Sequence, residues 1–479
     1  MKKILTAVCL ILVIVLNCFA LASCGGDSTE TKDSGSAFVP EEGLTYDGSE
    51  VEITFYHTMG ANLRTVLDKY VAKFNEMYPN IKIVHSQEGG YDDVRDKIST
   101  ELTVGNQPNI AYCYPDHVAL YNLAGSVVTL DSFINSKAEV TKADGSKEVL
   151  GFTEAQIADF IDAYYNEGKE FGDDKMYTLP LSKSTEVLYY NKTFFDANNL
   201  SVPTTWDELE TLCAQILAID PNCIPLGYDS EANWFITMAE QLKSDYTSAE
   251  EGNHFLFDNE TNRNFVKRFS EWHQKGYVTT QEIYGAYTSG LFVAQTGTKS
   301  YMSIGSSAGA THQRPAATDD GSYPFEVGIA TIPQADAANK KVISQGPSLC
   351  IFNNASQQEV VASWLFVKYL TSCVEFQAEF GMVSGYVPVL ESVAQNPVYA
   401  DFIATANGGD NIAALSAKVC LEQKDAYYTS PAFNGSSEAR DQVGALMQFC
   451  MVEYKNAADK DAMIKKAFED AVAECEYMS

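Results

Sequence analysis

Three short stretches carry the groups best suited to gripping a small polar molecule. Ile304-Gly-Ser-Ser-Ala-Gly309 places two hydroxyls and several small residues directly after a strand-like segment. If the chain turns there into a helix, unpaired backbone N–H groups and the helix dipole favour an anion such as phosphate. Gln345-Gly-Pro-Ser348 offers Gly346, where the absent side chain allows close approach of backbone to ligand. Arg440, in Ser436-Ser-Glu-Ala-Arg-Asp441, is one of only six arginines, and its planar guanidinium can hold a phosphate through two parallel hydrogen bonds. Each stretch also has a plainer account: a serine cap, a simple turn, a surface arginine paired with Glu438 or Asp441.

Catalytic chemistry finds less support. The chain has no P-loop and no zinc-protease pair. Its histidines, His57, His85, His117, His254, His273 and His312, lack ligand spacing, so no metal is expected. With 64 acidic residues, two carboxylates can always be picked as an acid/base pair, and the choice carries no information. No catalytic residue and no cofactor is expected, and the chain reads as a binder. Beyond Cys9, Cys18 and Cys24 its cysteines are Cys113, Cys213, Cys223, Cys350, Cys373, Cys420, Cys450 and Cys475. None forms Cys-x-x-Cys, and most lie in apolar contexts as small core residues. A pairing of Cys213 with Cys223 stays open.

The elements that must position these groups follow a recognisable order. Val51-Glu-Ile-Thr-Phe-Tyr56 alternates as a strand, and Leu63 to Tyr78 has helical spacing. A second strand (80–84), a second helix (91–104) and a third strand (109–114) follow, which makes βαβ units and a parallel sheet. Ligands of such sheets lie beyond the carboxyl ends of the strands, where Tyr91 and the Tyr114-Pro-Asp116 turn fall. Thr205-Trp-Asp-Glu208 is a capping box that starts a later helix. Extended crossings between two lobes are expected near Ser182–Thr185, Val327–Ala330 and Ser384–Pro388.

One stretch links these pieces to a known family. Leu179-Pro-Leu-Ser-Lys-Ser-Thr-Glu-Val-Leu-Tyr-Tyr-Asn191, then Pro203-x-Thr-Trp-Asp-Glu208, resembles the family 1 extracellular solute-binding proteins of ABC importers. Within that family it is most similar to the sn-glycerol-3-phosphate-binding proteins, from roughly Ile53 to the C-terminus. The resemblance implies an α/β, two-lobed periplasmic-binding-protein-like fold, each lobe a mainly parallel sheet flanked by helices, joined by a three-segment hinge. By motif match it implies ligand contacts at Tyr91, Ser184, Ser307, Gly346, Tyr386 and Arg440, with Trp206 walling the glycerol side, and the hydroxyl of Ser306 beside Ser307 is a further candidate. In one place the chain departs from the pattern. Pro115 stands where the family has a glutamate for the glycerol hydroxyls, and the neighbouring Asp116 is the candidate substitute, with a different reach.

The N-terminus and the composition set the compartment. Lys2 and Lys3 precede an apolar run from Ile4 to Leu16, and Leu21-Ala-Ser-Cys24 follows. This is a secretory signal whose end resembles that of bacterial lipoproteins, with Cys24 as the lipidated residue. Residues 24–47 have the Gly, Ser, Thr and Asp content of a flexible tether. The expected divisions are 1–23 signal, 24–47 tether, 48–182 with 328–383 lobe 1, and 183–327 with 384–479 lobe 2. A net charge of −31 argues against a nucleic-acid partner and requires a local cation for any anionic ligand. The expected protein is a monomer, lipid-anchored on the outer face of the cytoplasmic membrane. Its expected partners are a glycerophosphate or sugar and the subunits of an ABC permease. A carbohydrate site stacked on Trp206, Trp234 and tyrosines is the alternative, and an inert tethered adhesion module is a third reading.

Overall fold

The structure is a computed structural model that describes residues 45–478. The signal segment, Cys24 and most of the expected tether therefore lie outside the described residues. The chain begins with β1 (Val51–His57), α1 (Ala61–Met77), β2 (Ile81–Gln87), α2 (Tyr91–Leu102) and β3 (Ile110–Cys113). Alternation buries Ile53 and Phe55 of β1, and the helical stripe Val66, Tyr70 and Phe74 of α1 packs over them. β1 pairs in parallel with both β2 and β3, as the βαβ spacing predicts. Pro115 opens α3 (Pro115–Tyr121), where its missing N–H would have had no helical partner. A small hairpin of β4 (Glu139–Thr141) and β5 (Lys147–Val149) follows, then α4 (Asp162–Glu167) and β6 (Leu179–Pro180).

The second sheet is built around β7 (Ser184–Asn191). It continues through α5 (Trp206–Ile219), β8 (Leu226–Tyr228), α6 (Glu231–Gln241), α7 (Glu260–Gln274), β9 (Val278–Thr280), β10 (Met302–Ser306), β11 (Val327–Thr331) and β12 (Val342–Gln345). The capping box predicted for α5 is present, with Thr205 and Glu208 exchanging hydrogen bonds. The chain then returns to the first sheet as β13 (Ser348–Ile351), followed by α8 (Gln357–Ser372) and α9 (Val374–Ser384). It ends with α10 (Ile412–Glu422), β14 (Tyr427–Tyr428), α11 (Ser436–Glu453) and α12 (Lys460–Met478).

Strand order is β2-β1-β3-β13-β6 in one sheet and β14-β12-β7-β10-β8-β9 in the other, with β11 also on β7. The fold is thus α/β with two lobes. Both sheets are mixed, however, and not mainly parallel. β13 runs antiparallel to β3 and β6, and β10, β11 and β12 all run antiparallel to β7. The chain passes from the first sheet to the second after β6 and back again after β12, which sets β12 against β7 and β13 against β6.

The passages themselves differ from expectation at one point. The first lies between β6 and β7, as predicted. The second falls at Gly346–Pro347, not at Val327–Ala330, because β11 stays in the second sheet along its whole length beside β7. In the third, after α9, Val387 pairs with Lys183 of the first passage. Lys183 joins all three. Its Nζ donates to a carboxylate oxygen of Glu167, to Gly346 O at 3.0 Å and to Ser348 Oγ at 3.0 Å, and its N–H donates to Val387 O at 3.1 Å. Among the described residues no helix is long and apolar enough to cross a membrane, and no group of His, Cys, Asp and Glu is arranged to hold a metal ion.

Candidate functional site

Two cavities open where the sheets face each other, of about 440 Å³ and 620 Å³. They share Tyr114, Gln345 and Arg440. Three elements supply these residues. The β3–α3 turn places Tyr114, and Gln345 ends β12 just before the second passage. Arg440 lies in the first turns of α11, which starts after Gly435 in the left-handed conformation (φ 99°).

Arg440 is held by neutral groups. Its Nη2 donates to Asn233 Oδ1 of α6, and the Gln345 amide oxygen, turned to the guanidinium, lies 2.7 Å from Nη2 and 3.2 Å from Nη1. No ion pair to Arg440 is present among the described residues. A guanidinium with amide partners keeps most of its charge for an incoming anion, and in a cleft of reduced dielectric that charge counts for more than in water.

Tyr91 and Tyr114 form one wall. Their rings stack at 4.1 Å, and Tyr91 Oη lies 3.3 Å from Tyr386 Oη, which the third passage contributes. Burial raises the Tyr91 phenol above its ordinary range, so it stays a hydroxyl at neutral pH. Asp116 lines the first cavity and its Oδ2 accepts from Ser437 Oγ at 3.1 Å, joining α3 to α11 across the cleft. Gly346 also lines that cavity, but its φ of +130° has another cause. A Cβ there would lie 2.6 Å from Ser182 O and 2.8 Å from Lys183 Cα, so the glycine is required where two passages cross.

Not every residue expected at the site reaches it. Tyr91, Asp116, Gly346 and Arg440 line the first cavity and Ser306 the second, while Tyr386 stands behind Tyr91. Ser184 and Ser307 line neither. Ser184 Oγ donates to Gln345 O at 3.4 Å, and Ser307 Oγ accepts from the Thr185 N–H at 3.2 Å, so both hydroxyls tie β7 to its neighbours. Ser307–Gln313 is a 3-10 helix. Trp206 is core: it is 2% exposed, donates to Gln241 Oε1 at 2.8 Å and packs on Trp234 and Phe269. As the first residue of an amphipathic helix, it faces inward with Leu209 and Cys213. Trp234 is equally buried, stacked on Tyr228 at 4.6 Å.

Several site groups were not singled out by sequence reasoning. Asn233 and Gln345 frame Arg440, Tyr246 lines the first cavity, and Glu186 and Asp229 line the second. Burial pushes the Glu186 carboxyl up to about 7, against the opposing pull of the Tyr228 and Asn233 hydrogen bonds and the Arg440 charge. Asp229 is also raised by burial, although the Thr288 N–H and hydroxyl both donate to it at 2.7 Å. A charged residue inside the apolar run of β7 was the available signal for Glu186. The amides gave none, since their roles depend on partners far away in sequence.

Residues 69–407 match the sequence model of a family described as bacterial extracellular solute-binding protein. The sn-glycerol-3-phosphate-binding periplasmic protein UgpB of Salmonella typhimurium is 28% identical over 193 residues, 39% of this chain and 40% of that protein. The chain thus spans about 40% of the length of the curated relatives it matches. Among solved structures, the cyclic alpha-maltosyl-1,6-maltose binding protein from Arthrobacter globiformis superposes with a TM-score of 0.68 at 19% identity, covering 90% of this chain and 100% of that one. UgpB from Mycobacterium tuberculosis in complex with glycerophosphocholine superposes with a TM-score of 0.66 at 17% identity, covering 89% and 98%. These structural likenesses concern the fold alone.

Proposed function

Because this chain belongs to the bacterial extracellular solute-binding proteins, we propose that it captures a small phosphorylated polyol, glycerol-3-phosphate or a glycerophosphodiester, for an ABC importer. In this reading the solute binds between the two sheets and is delivered to a membrane permease. Cys24 is the proposed lipid attachment point, holding the protein at the outer face of the cytoplasmic membrane. The proposed lobes divide where the chain passes from one sheet to the other.

One observation carries the ligand's charge. Arg440 stands at the junction of both cavities with only neutral amides against its guanidinium. The protein's net charge of −31 repels an approaching phosphate, an effect screened over about 8–10 Å at physiological salt. Local compensation must therefore come from a specific cation, and Arg440 supplies it. The ligand named for the similar UgpB proteins agrees with this choice.

A carbohydrate ligand is the second reading. The hydroxyl, amide and carboxyl groups of the second cavity, among them Ser289, Gln313 and Asp229, suit sugar hydroxyls. The tryptophans on which a sugar would stack are buried in the core, which weighs against it.

Titration calorimetry of Arg440→Ala tests the proposal. Removing one partner of a desolvated charge pair costs about 2–5 kcal/mol, roughly 30-fold to several thousand-fold in affinity. Glycerol-3-phosphate and glycerophosphocholine should lose affinity to that degree with the circular dichroism spectrum unchanged. Arg440→Lys should recover only part, because lysine lacks the planar fork. A variant that binds both ligands within twofold of the parent would refute the phosphate reading.

A further inference from the structure

Glu186 occupies an unusual place. It sits on β7, the strand that organises the second sheet, between the buried Thr185 and Val187, and is itself 2% exposed. A carboxyl group taken out of water is costly unless hydrogen bonds or a cation compensate it. Hydrogen bonds compensate it in part: Tyr228 Oη donates to Glu186 Oε2 at 2.5 Å, and Asn233 is a further side-chain partner. A cation is not in contact, since Arg440 is turned to the Asn233 and Gln345 amides. The side chain nevertheless lines the second cavity, together with Asp229, Ser289, His312 and Arg440.

This arrangement sorts the cavity by chemistry. Arg440 lines both cavities, whereas the acidic Glu186 and Asp229 line only the second. A carboxylate only accepts hydrogen bonds, while a carboxylic acid both donates and accepts. Either form is well matched to hydroxyl groups and badly matched to a hydrocarbon chain, which would leave part of the carboxyl's hydrogen-bonding capacity unmet. Asp116, the residue expected to replace the family's hydroxyl-binding glutamate, lines the other cavity and is already joined to Ser437.

We propose that Glu186 is the residue that selects for hydroxyls on the ligand, taking hydrogen bonds from them in the second cavity while Arg440 holds the anionic end. This assignment rests on the reading that a solute binds in this cleft, and it concerns the uncharged end of that solute. It moves recognition of the polyol from the first sheet to the second. Asp229, already engaged by Thr288, flanks Glu186 as a weaker second acceptor.

The test compares glycerol-3-phosphate with propyl phosphate, which keeps the phosphate and lacks both free hydroxyls, in titration calorimetry. Sites that hydrogen-bond a substrate hydroxyl reject the analogue lacking it strongly, so the parent protein should prefer glycerol-3-phosphate by at least about 100-fold. Glu186→Leu should shrink that preference to about tenfold or less, because it removes the carboxyl that propyl phosphate fails to satisfy. Glu186→Gln, which preserves shape and one acceptor, should fall between the two and serves if the leucine variant does not fold. An unchanged preference in Glu186→Gln and Glu186→Leu would overturn the assignment. Maltose separates the two levels of the argument. If the parent binds maltose and neither phosphate, the phosphate reading fails. Glu186→Gln must then still weaken maltose at least about tenfold, or the hydroxyl assignment fails as well.

Discussion

Single residues set both the chemistry and the cost of this cleft. Glu186, raised to about 7 chiefly by burial, is ionised above neutrality and neutral below it. The groups facing it are Tyr228 and Asp229 at the end of β8, Arg440 from α11, and His312 and Tyr114 around the same cavity. A group whose folded-state pKa is raised contributes stability that is present below its unfolded pKa near 4.5 and lost as pH rises through about 7. Parent and Glu186→Gln melting curves should therefore diverge between pH 5 and pH 8, the parent losing roughly 3 kcal/mol that the glutamine variant keeps. Parallel curves would remove the ionisation from the account. The same titration acts on binding. Because the ionised carboxylate is the stronger acceptor for ligand hydroxyls, glycerophosphocholine, whose phosphodiester does not titrate here, should bind more tightly at pH 8 than at pH 6, and Glu186→Gln should flatten the profile. Lys183 is the counterpart at the passages. Lys183→Met leaves Glu167 buried without its cation, a loss of about 3–5 kcal/mol. Thermal unfolding should show it, and Glu167→Gln in the same chain should restore much of it. No restoration would mean that the lysine acts through packing alone.

Legibility in the sequence differed among these residues for a physical reason. Tyr91, Gly346 and Arg440, expected by motif match as well as by local reading, and Asp116, expected from the turn after a strand, all line the first cavity. Ser184, Ser307 and Trp206 were expected on the same grounds but line neither cavity, because the same residue types also tie strands together and fill cores. Which face of β7 or α5 each occupies is decided by strand and helix partners 35 to 161 residues away. Lys183 gave no hint of burial, since its partner Glu167 lies on α4 and its acceptors lie beyond residue 345.

At the scale of elements, the βαβαβ start and the α5 capping box follow directly from periodicity and cap residues. The second passage did not. A strand ending near a proline, as at 327–333, looks the same locally whether it leaves its sheet or stays, and only the pairing of β11 with β7 decides. Gly346, at the true passage, makes a sharp prediction. Gly346→Ala introduces a Cβ against Ser182 O in a backbone region that L-residues avoid. Strain of this kind costs about 1–3 kcal/mol at least. The melting temperature should fall by several degrees in calorimetric scans, and an unchanged melting temperature would show that the passage relaxes freely.

The described residues form two main sheets joined at three passages, with polar cavities between them. Passages made of a few extended residues are the usual places where lobes rotate. Small-angle scattering should give a smaller radius of gyration with saturating ligand than without, and an equal radius would argue against closure. The membrane attachment proposed at Cys24 is tested by Cys24→Ala, which should release the protein from membrane fractions. Retention with the parent would place the anchor elsewhere.

The central claim is that the cleft recognises a phosphate-bearing polyol. Its most direct measurement is titration calorimetry of the Cys24→Ala secreted form with glycerol-3-phosphate, glycerophosphocholine and maltose under one buffer and salt condition. The account predicts saturable one-to-one binding of at least one phosphate compound, weakened by added salt, with no heat from maltose. Saturable binding of maltose with no heat from either phosphate would contradict it.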